Sequence, residues 1–190
     1  MKIAVATLKS ASPYSQSRFH NTAKLEKEAA NDFEERTWRE RCHVGEDGNV
    51  FIPPMAFKNC LSEAAKFLSE QIPGKNKQTY TKHFEAGVLV TEPLALPVTK
   101  AAIEGEWQFV PSNGKRGGAT RVMKCFPKVP NWEGDVTFYI LDDTVTKPVF
   151  EHTLQQAGQF IGLGRFRPRN NGFYGRFRVE KVIWTDPTDA

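Results

Sequence analysis

The sequence predicts an α+β chain with a ferredoxin-like, RRM-like βαββαβ core that carries two insertions. Three observations lead there. Segments 55–71 and 145–160 repeat apolar residues at helical spacing, short runs with strand character flank each of them, and two long polar or glycine-rich stretches interrupt the alternation.

The first strand is 2–9, with Ile3, Val5 and Thr7 on one face and Ala4, Ala6 and Leu8 on the other, apolar enough on both sides to be buried. From Ala11 to about Val50 the chain is polar. Residues 24–41 favour helix by composition, but Leu25, Phe33 and Trp38 make only a thin apolar stripe, so 10–50 is expected to be a surface insertion. Pro53-Pro54 then opens a helix over 55–71, with Phe57, Leu61, Ala64, Ala65 and Leu68 on its inner side and Pro73-Gly74 as its stop. Residues 85–92 alternate Ala86, Val88 and Val90 against Gly87 and Leu89 and predict the second strand, ended by Pro93.

The second insertion, 93–130, holds strand-like runs at 107–110 and 121–126 around the tip Pro111-Ser-Asn-Gly-Lys-Arg-Gly-Gly118, the pattern of a protruding β-hairpin. Residues 135–141 supply a third strand of strong β propensity. The second helix, 145–160, carries Val149, Phe150, Leu154, Ala157 and Phe160 on its apolar side, and 177–184 is the last strand before a polar tail at 185–190. Residues 1–190 thus read as one domain.

Its 190 residues are enough for a real core without staples. The three cysteines, Cys42, Cys60 and Cys125, are odd in number and widely spaced, match neither a zinc pattern nor a disulfide framework, and read as reduced thiols. The apolar run at the N-terminus is too short for a signal peptide, and no stretch approaches the roughly 18 apolar residues of a membrane span. A soluble, cytoplasmic protein without membrane contact is expected.

The net charge of +4 is modest, but its distribution is uneven. Between Trp107 and Trp132 lie Lys115, Arg116, Arg121, Lys124 and Lys128 with no acid, and between Thr153 and Val179 lie Arg165, Arg167, Arg169, Arg176 and Arg178, again with none. The rest of the chain has 16 basic residues against 22 acidic ones, so the positive charge is concentrated where phosphate contact would need it.

The second of these segments is the densest signal. Gly162, Gly164, Gly172 and Gly175 allow close backbone approach and would let main-chain N–H groups form a phosphate cradle. Five arginines offer forked donors, Asn170 and Asn171 add polar contacts, and Phe166, Phe173, Tyr174 and Phe177 offer faces for stacked bases. Gly162-x-Gly164 is not a dinucleotide fingerprint, because a helix precedes it and a strand follows. The tip 113–118, with Lys115 and Arg116, and the neighbouring Arg121 and Lys124 form a second basic edge.

Residues suited to catalysis are scattered. His20, His43, His83 and His152 have no carboxylate or cysteine at a spacing that indicates a metal site or a triad, so neither metal nor cofactor is expected. His20 is the one weak catalytic candidate, as an acid or base on RNA. Asp142-Asp143 fits a helix N-terminus better than a metal site.

Two motifs resemble a known family. Val50-Phe-Ile-Pro-Pro-Met-Ala-Phe-Lys58 and the helix after it are similar to the entry to the first helix in the RAMP superfamily of CRISPR-associated proteins. Phe160-Ile-Gly-Leu-Gly-Arg165 with Gly172-Phe-Tyr-Gly-Arg-Phe177 resembles that superfamily's glycine-rich loop between its last helix and last strand. The chain differs in having Pro54 where the family often has glycine, and in an arginine-rich loop. The resemblance covers about half the chain and is to a small backbone-subunit-like member, including a phage-borne one. It implies binding of single-stranded RNA along a groove, a role for Lys58 in that groove, a thumb formed by the 93–130 hairpin, contacts with other CRISPR-type subunits, and head-to-tail assembly of copies.

The leading expectation is therefore a non-catalytic, sequence-independent binder of single-stranded RNA or DNA, RNA favoured, with a steep salt dependence. Two alternatives stay open: a metal-independent guide-RNA-processing endoribonuclease using His20, and a mimic or inhibitor that binds a CRISPR complex.

Overall fold

A computed structural model of the chain describes residues 1–112, 114 and 117–185. In chain order the elements are β1 (Lys2–Ser10), β2 (Tyr14–Ser15), α1 (Ala30–Thr37), β3 (Asn49–Ile52), α2 (Pro54–Leu68), α3 (Thr81–Gly87), β4 (Val88–Leu89), β5 (Leu94–Thr99), β6 (Glu104–Pro111), β7 (Arg121–Val129), β8 (Glu133–Ile140), α4 (Lys147–Gln156) and β9 (Phe177–Thr185). Tight 3-10 turns occupy Trp38–Arg41 and Pro168–Asn170, and a π turn occupies Ala157–Ile161. The chain is α+β, and its strands pair antiparallel throughout.

The main sheet has four strands in the order β4-β8-β1-β9. Alternation along β1 sends Ala4, Ala6 and Leu8 to a fully buried face, opposite Val136 and Phe138 of β8. On that face Phe138 meets Phe150 of α4 edge-on at 5.2 Å, and Phe150 in turn meets Trp184 of β9 at 5.4 Å. Phe57, Leu61 and Ala64 of α2 join the same core, and α2 touches the end of α4 where the Cys60 thiol lies 3.5 Å from the Ala157 carbonyl oxygen. The other face, with Ile3, Val5 and Thr7, is only half-buried.

A second, three-stranded sheet, β2-β7-β6, contains the hairpin, in which Trp107 faces Cys125 and Phe109 faces Met123. β3 and β5 form a separate pair.

Four expectations change. Residues 85–92 do not form one strand: α3 runs to Gly87 and only Val88 and Leu89 pair with β8. Tyr80 and Phe84, four apart, are buried on the inner side of α3, and a Cβ on Gly87 would lie 2.4 Å from the Asp142 Cβ. Residues 10–50 are not all surface, since Tyr14, Trp38, Cys42 and Val50 belong to the core and Glu34 and Arg41 are buried with them. The helix predicted over 145–160 gives way to the π turn after Gln156, which leaves Phe160 exposed. Asp142 and Asp143 precede α4 without capping it: Asp142 accepts from the Thr144 N–H at 2.8 Å, and Asp143 pairs with Lys2. The tail 186–190 lies outside the described residues. All three cysteines are free and buried, and burial pushes the Cys60 thiol up to about 12.

Candidate nucleic-acid interface

After the π turn the chain from Gly162 to Arg176 folds back on itself and onto residues 11–15. The Leu163 N–H donates to the Gly175 carbonyl at 2.9 Å, the Arg165 N–H to the Ser15 carbonyl at 2.9 Å, and the Gly175 N–H to the Pro13 carbonyl at 2.8 Å. Ser15 also lies in β2, which pairs with β7. One short segment therefore anchors both the glycine loop and the hairpin, and brings them together.

The glycines serve this packing. Gly164 and Gly175 have φ of +71° and +78°, and a Cβ on them would lie 2.3 Å from the Ser15 oxygen and 1.9 Å from the Leu163 oxygen. The N–H groups of Gly162, Gly172 and Gly175 donate to the Ala157, Arg167 and Pro13 carbonyls. Those three donors are spent inside the fold, which corrects the phosphate cradle expected of them.

The loop is braced to the hairpin by a polar chain. The Arg165 Nη2 donates to Gln108 Oε1 at 2.6 Å, the Gln108 amide donates to Glu106 at 2.6 Å and to the Tyr174 hydroxyl at 3.1 Å, and that hydroxyl donates to Glu106. Burial of Glu106 would raise its pKa, but hydrogen bonds from Tyr174 and Gln108 and the nearby Lys128 hold it low; burial and that same carboxylate raise Tyr174. The Arg165 guanidinium sits 3.4 Å over the Phe126 ring, and burial lowers its pKa. Tyr174 is only 7% exposed, so it offers a brace and no stacking face. Phe177 is buried as well. Phe166 and Phe173 remain open, 46% and 58% exposed.

The segments that lack acids in sequence do not lack them in space. Glu63 of α2 takes both Arg167, at 2.7 Å, and Arg169, at 3.1 Å. Lys124 reaches buried Glu34 at 2.8 Å, Lys128 reaches Glu106 at 3.5 Å, and Arg178 lies 3.8 Å from Glu180. Arg121 donates to the Phe109 carbonyl at 3.2 Å and Arg176 to the Gln159 carbonyl at 3.3 Å; neither has a carboxylate partner among the described residues. Asn170 and Asn171 close the 3-10 turn, Asn171 at φ +59°. Lys58 is turned inward, donating to the carbonyls of Phe84 at 3.0 Å and Glu85 at 2.8 Å and to Ser62, and burial lowers its pKa. Lys115 and Arg116 lie outside the described residues.

His20 Nδ1 lies 3.1 Å from the Thr22 hydroxyl and its ring stacks on Phe33; burial, then Arg41, lower its pKa. No carboxylate bonds to it among the described residues. The histidines that do meet carboxylates are His83, 2.6 Å from Asp142, and His152, 3.0 Å from Glu70, pairs too distant in sequence to read. Among the described residues no cluster of His, Cys, Asp or Glu could hold a metal, and no helix is long and apolar enough to cross a membrane.

Sequence reasoning missed Trp107, Phe109 and Met123, exposed together on one face of the hairpin. Alternation along 104–111 was the available signal. It also missed a cleft of about 480 Å³ between loop and hairpin, lined by Ser17, Gln108, Phe109, Phe126, Arg165 and Phe166 among others.

No protein-family model matches the chain, and no curated protein matches it in sequence. Solved structures do. A chain of the type III-B Cmr-beta complex bound to cognate target RNA superposes with a TM-score of 0.50 at 12% identity, over 97% of this chain and 61% of that one. The likeness is one of fold. This chain therefore spans under two thirds of that relative's length. Cmr6 from Pyrococcus furiosus matches with a TM-score of 0.47 at 14% identity over 94% of this chain and 99% of that one. A chain of a CRISPR RNA-guided surveillance complex matches at 0.39 and 6%, over 96% and 68%.

Proposed function

We propose that this chain is a RAMP-type, non-catalytic protein that binds single-stranded nucleic acid, RNA favoured, without reading its sequence, where the glycine loop meets the hairpin. The observation that carries this is the junction itself: Arg165 of the loop lies over Phe126 of the hairpin, and Phe166, with its open ring, lines the same cleft. A cation beside aromatic faces on two converging segments is what single-strand binding uses.

We read the four-stranded sheet with α2 and α4 as a ferredoxin-like core within a single domain, and β6–β7 as a thumb. The central position of β1 and the antiparallel order β4-β8-β1-β9 support this reading. The fold likeness to a chain from an RNA-bound complex supports RNA and other CRISPR-type subunits as partners; head-to-tail joining of copies rests on the sequence resemblance alone.

Arg165, Arg167 and Arg169 make internal contacts, so their joint removal would confound binding with folding. The better test replaces Arg121, Arg176 and Arg178 together by Ala and measures anisotropy of a labelled oligoribonucleotide. Affinity should fall, and the salt slope should shrink by about 0.7 for each phosphate of a single strand that is no longer neutralised; unchanged affinity and slope would overturn the reading. Wild-type protein should also purify with a nuclease-sensitive excess of absorbance at 260 nm.

A further inference from the structure

Phe166 is held in an unusual conformation. Its φ is +49°, the left-handed region, where a bulky side chain costs about 1–2 kcal/mol. The other positive-φ residues of this loop are Gly162, Gly164, Asn171 and Gly175, types that adopt that conformation readily. The side chain does not impose it, because the ring is nearly half exposed; the backbone holds it, with the Phe166 carbonyl accepting from the Tyr174 N–H at 3.2 Å and Gly172 packed against it. Strain kept at an exposed aromatic residue points to a use for the ring.

Its neighbour Arg165 carries a complementary anomaly. One face of the guanidinium covers Phe126, and Nη2 is bonded to Gln108, but Nη1 is buried with no hydrogen-bond partner among the described residues. A buried donor left unpaired is costly, and an acceptor from a ligand would satisfy it.

Both residues line the 480 Å³ cleft, a volume within the range of about 300–1,000 Å³ typical of small-molecule sites. Apolar Phe109, Val110 and Pro111 make up much of the rest of its lining. Arg165 is the one cation among the described lining residues. A phosphate would need several converging donors. Largely apolar walls with one cation and the polar side chains of Ser17 and Gln108 suit a flat heteroaromatic ring with an acceptor on its edge.

We propose that this cleft receives one unstacked nucleobase of the bound strand, stacked on Phe166 and hydrogen-bonded through a base acceptor to Arg165. This rests on the strand-binding reading above.

The test compares wild type with Phe166→Gly and Phe166→Tyr on an oligouridylate and on an abasic oligomer of equal length and charge. Phe166→Gly should bind oligouridylate about tenfold or more weakly, since a base loses its stacking partner. Its salt slope should equal that of wild type, because every cationic group stays in place. Its melting temperature should not fall, because glycine relieves the left-handed strain. Phe166→Tyr should retain affinity, and the loss should vanish on the abasic oligomer. If Phe166→Gly does not fold, Phe166→Leu, apolar but without a π face, carries the same expectation. Unchanged affinity, or a loss that persists on the abasic oligomer, overturns the base-receiving cleft alone. Failure of wild type to bind any oligonucleotide overturns both readings.

Discussion

Glu34 is a residue whose importance its surroundings in sequence conceal. Its side chain is almost wholly buried, takes a two-point pair from Arg41 at 2.6 and 3.0 Å, and accepts from Lys124 and from the Cys125 N–H, both at 2.8 Å. It thereby ties α1 to β7. Burial, the largest influence, would raise its pKa, but the hydrogen bonds from Arg41, Lys124 and Cys125 together hold it below the ordinary 4.5. Removing one partner of a buried pair leaves the other charge uncompensated, so Glu34→Ala should cost about 3–5 kcal/mol in urea unfolding. A carboxyl depressed in the folded state stabilises fully above its unfolded pKa, and that contribution is lost as pH falls through the folded value. The wild-type melting temperature should therefore drop below about pH 4.5, and Glu34→Gln, already destabilised, should show a shallower drop. Sequence could not reveal this site, because Lys124 and Cys125 lie some ninety residues away.

At the scale of elements, β1 and α2 were legible because each carries its own period, two in Ala4, Ala6 and Leu8, and 3.6 in Phe57, Leu61, Ala64 and Ala65. The hairpin was legible from its tip. α3 was not, because Gly87 is required there by contact with Asp142, a tertiary reason that overrides helix propensity, and because the true alternation of Val88, Leu89 and Val90 reads as continuing back through Ala86. Lys58 belongs to the same misreading. Its resemblance to a family position implied a binding role, whereas its ammonium is bonded to carbonyls at the end of α3. Lys58→Met should lower stability by about 1.5–3 kcal/mol, the usual worth of hydrogen bonds to a charged group. The salt slope of oligonucleotide binding should not change. A slope smaller by about 0.7 would place Lys58 on a phosphate.

Taken whole, the molecule is a set of remote ion pairs laid over a legible core, and this alters the electrostatics that sequence suggests. Ten basic residues in two acid-free segments, each meeting one phosphate of a single strand, would make the slope of log K against log salt about −7. The fold commits Lys124, Lys128, Arg167 and Arg169 to carboxylates from α1, β6 and α2 at 3.5 Å or less. Breaking these pairs to reach phosphate would strip Glu63 of both its cations and Glu106 of its one, and would take from fully buried Glu34 one of its two, at a cost that a screened phosphate contact does not return. Arg165 is held against Phe126 and Gln108, so five residues remain and the slope should be about −3.5 when measured by anisotropy titration across a range of monovalent salt. A slope near −7 would mean that the ion pairs open when the strand binds, and the glycine loop would then have to part from α2, where Glu63 now holds it.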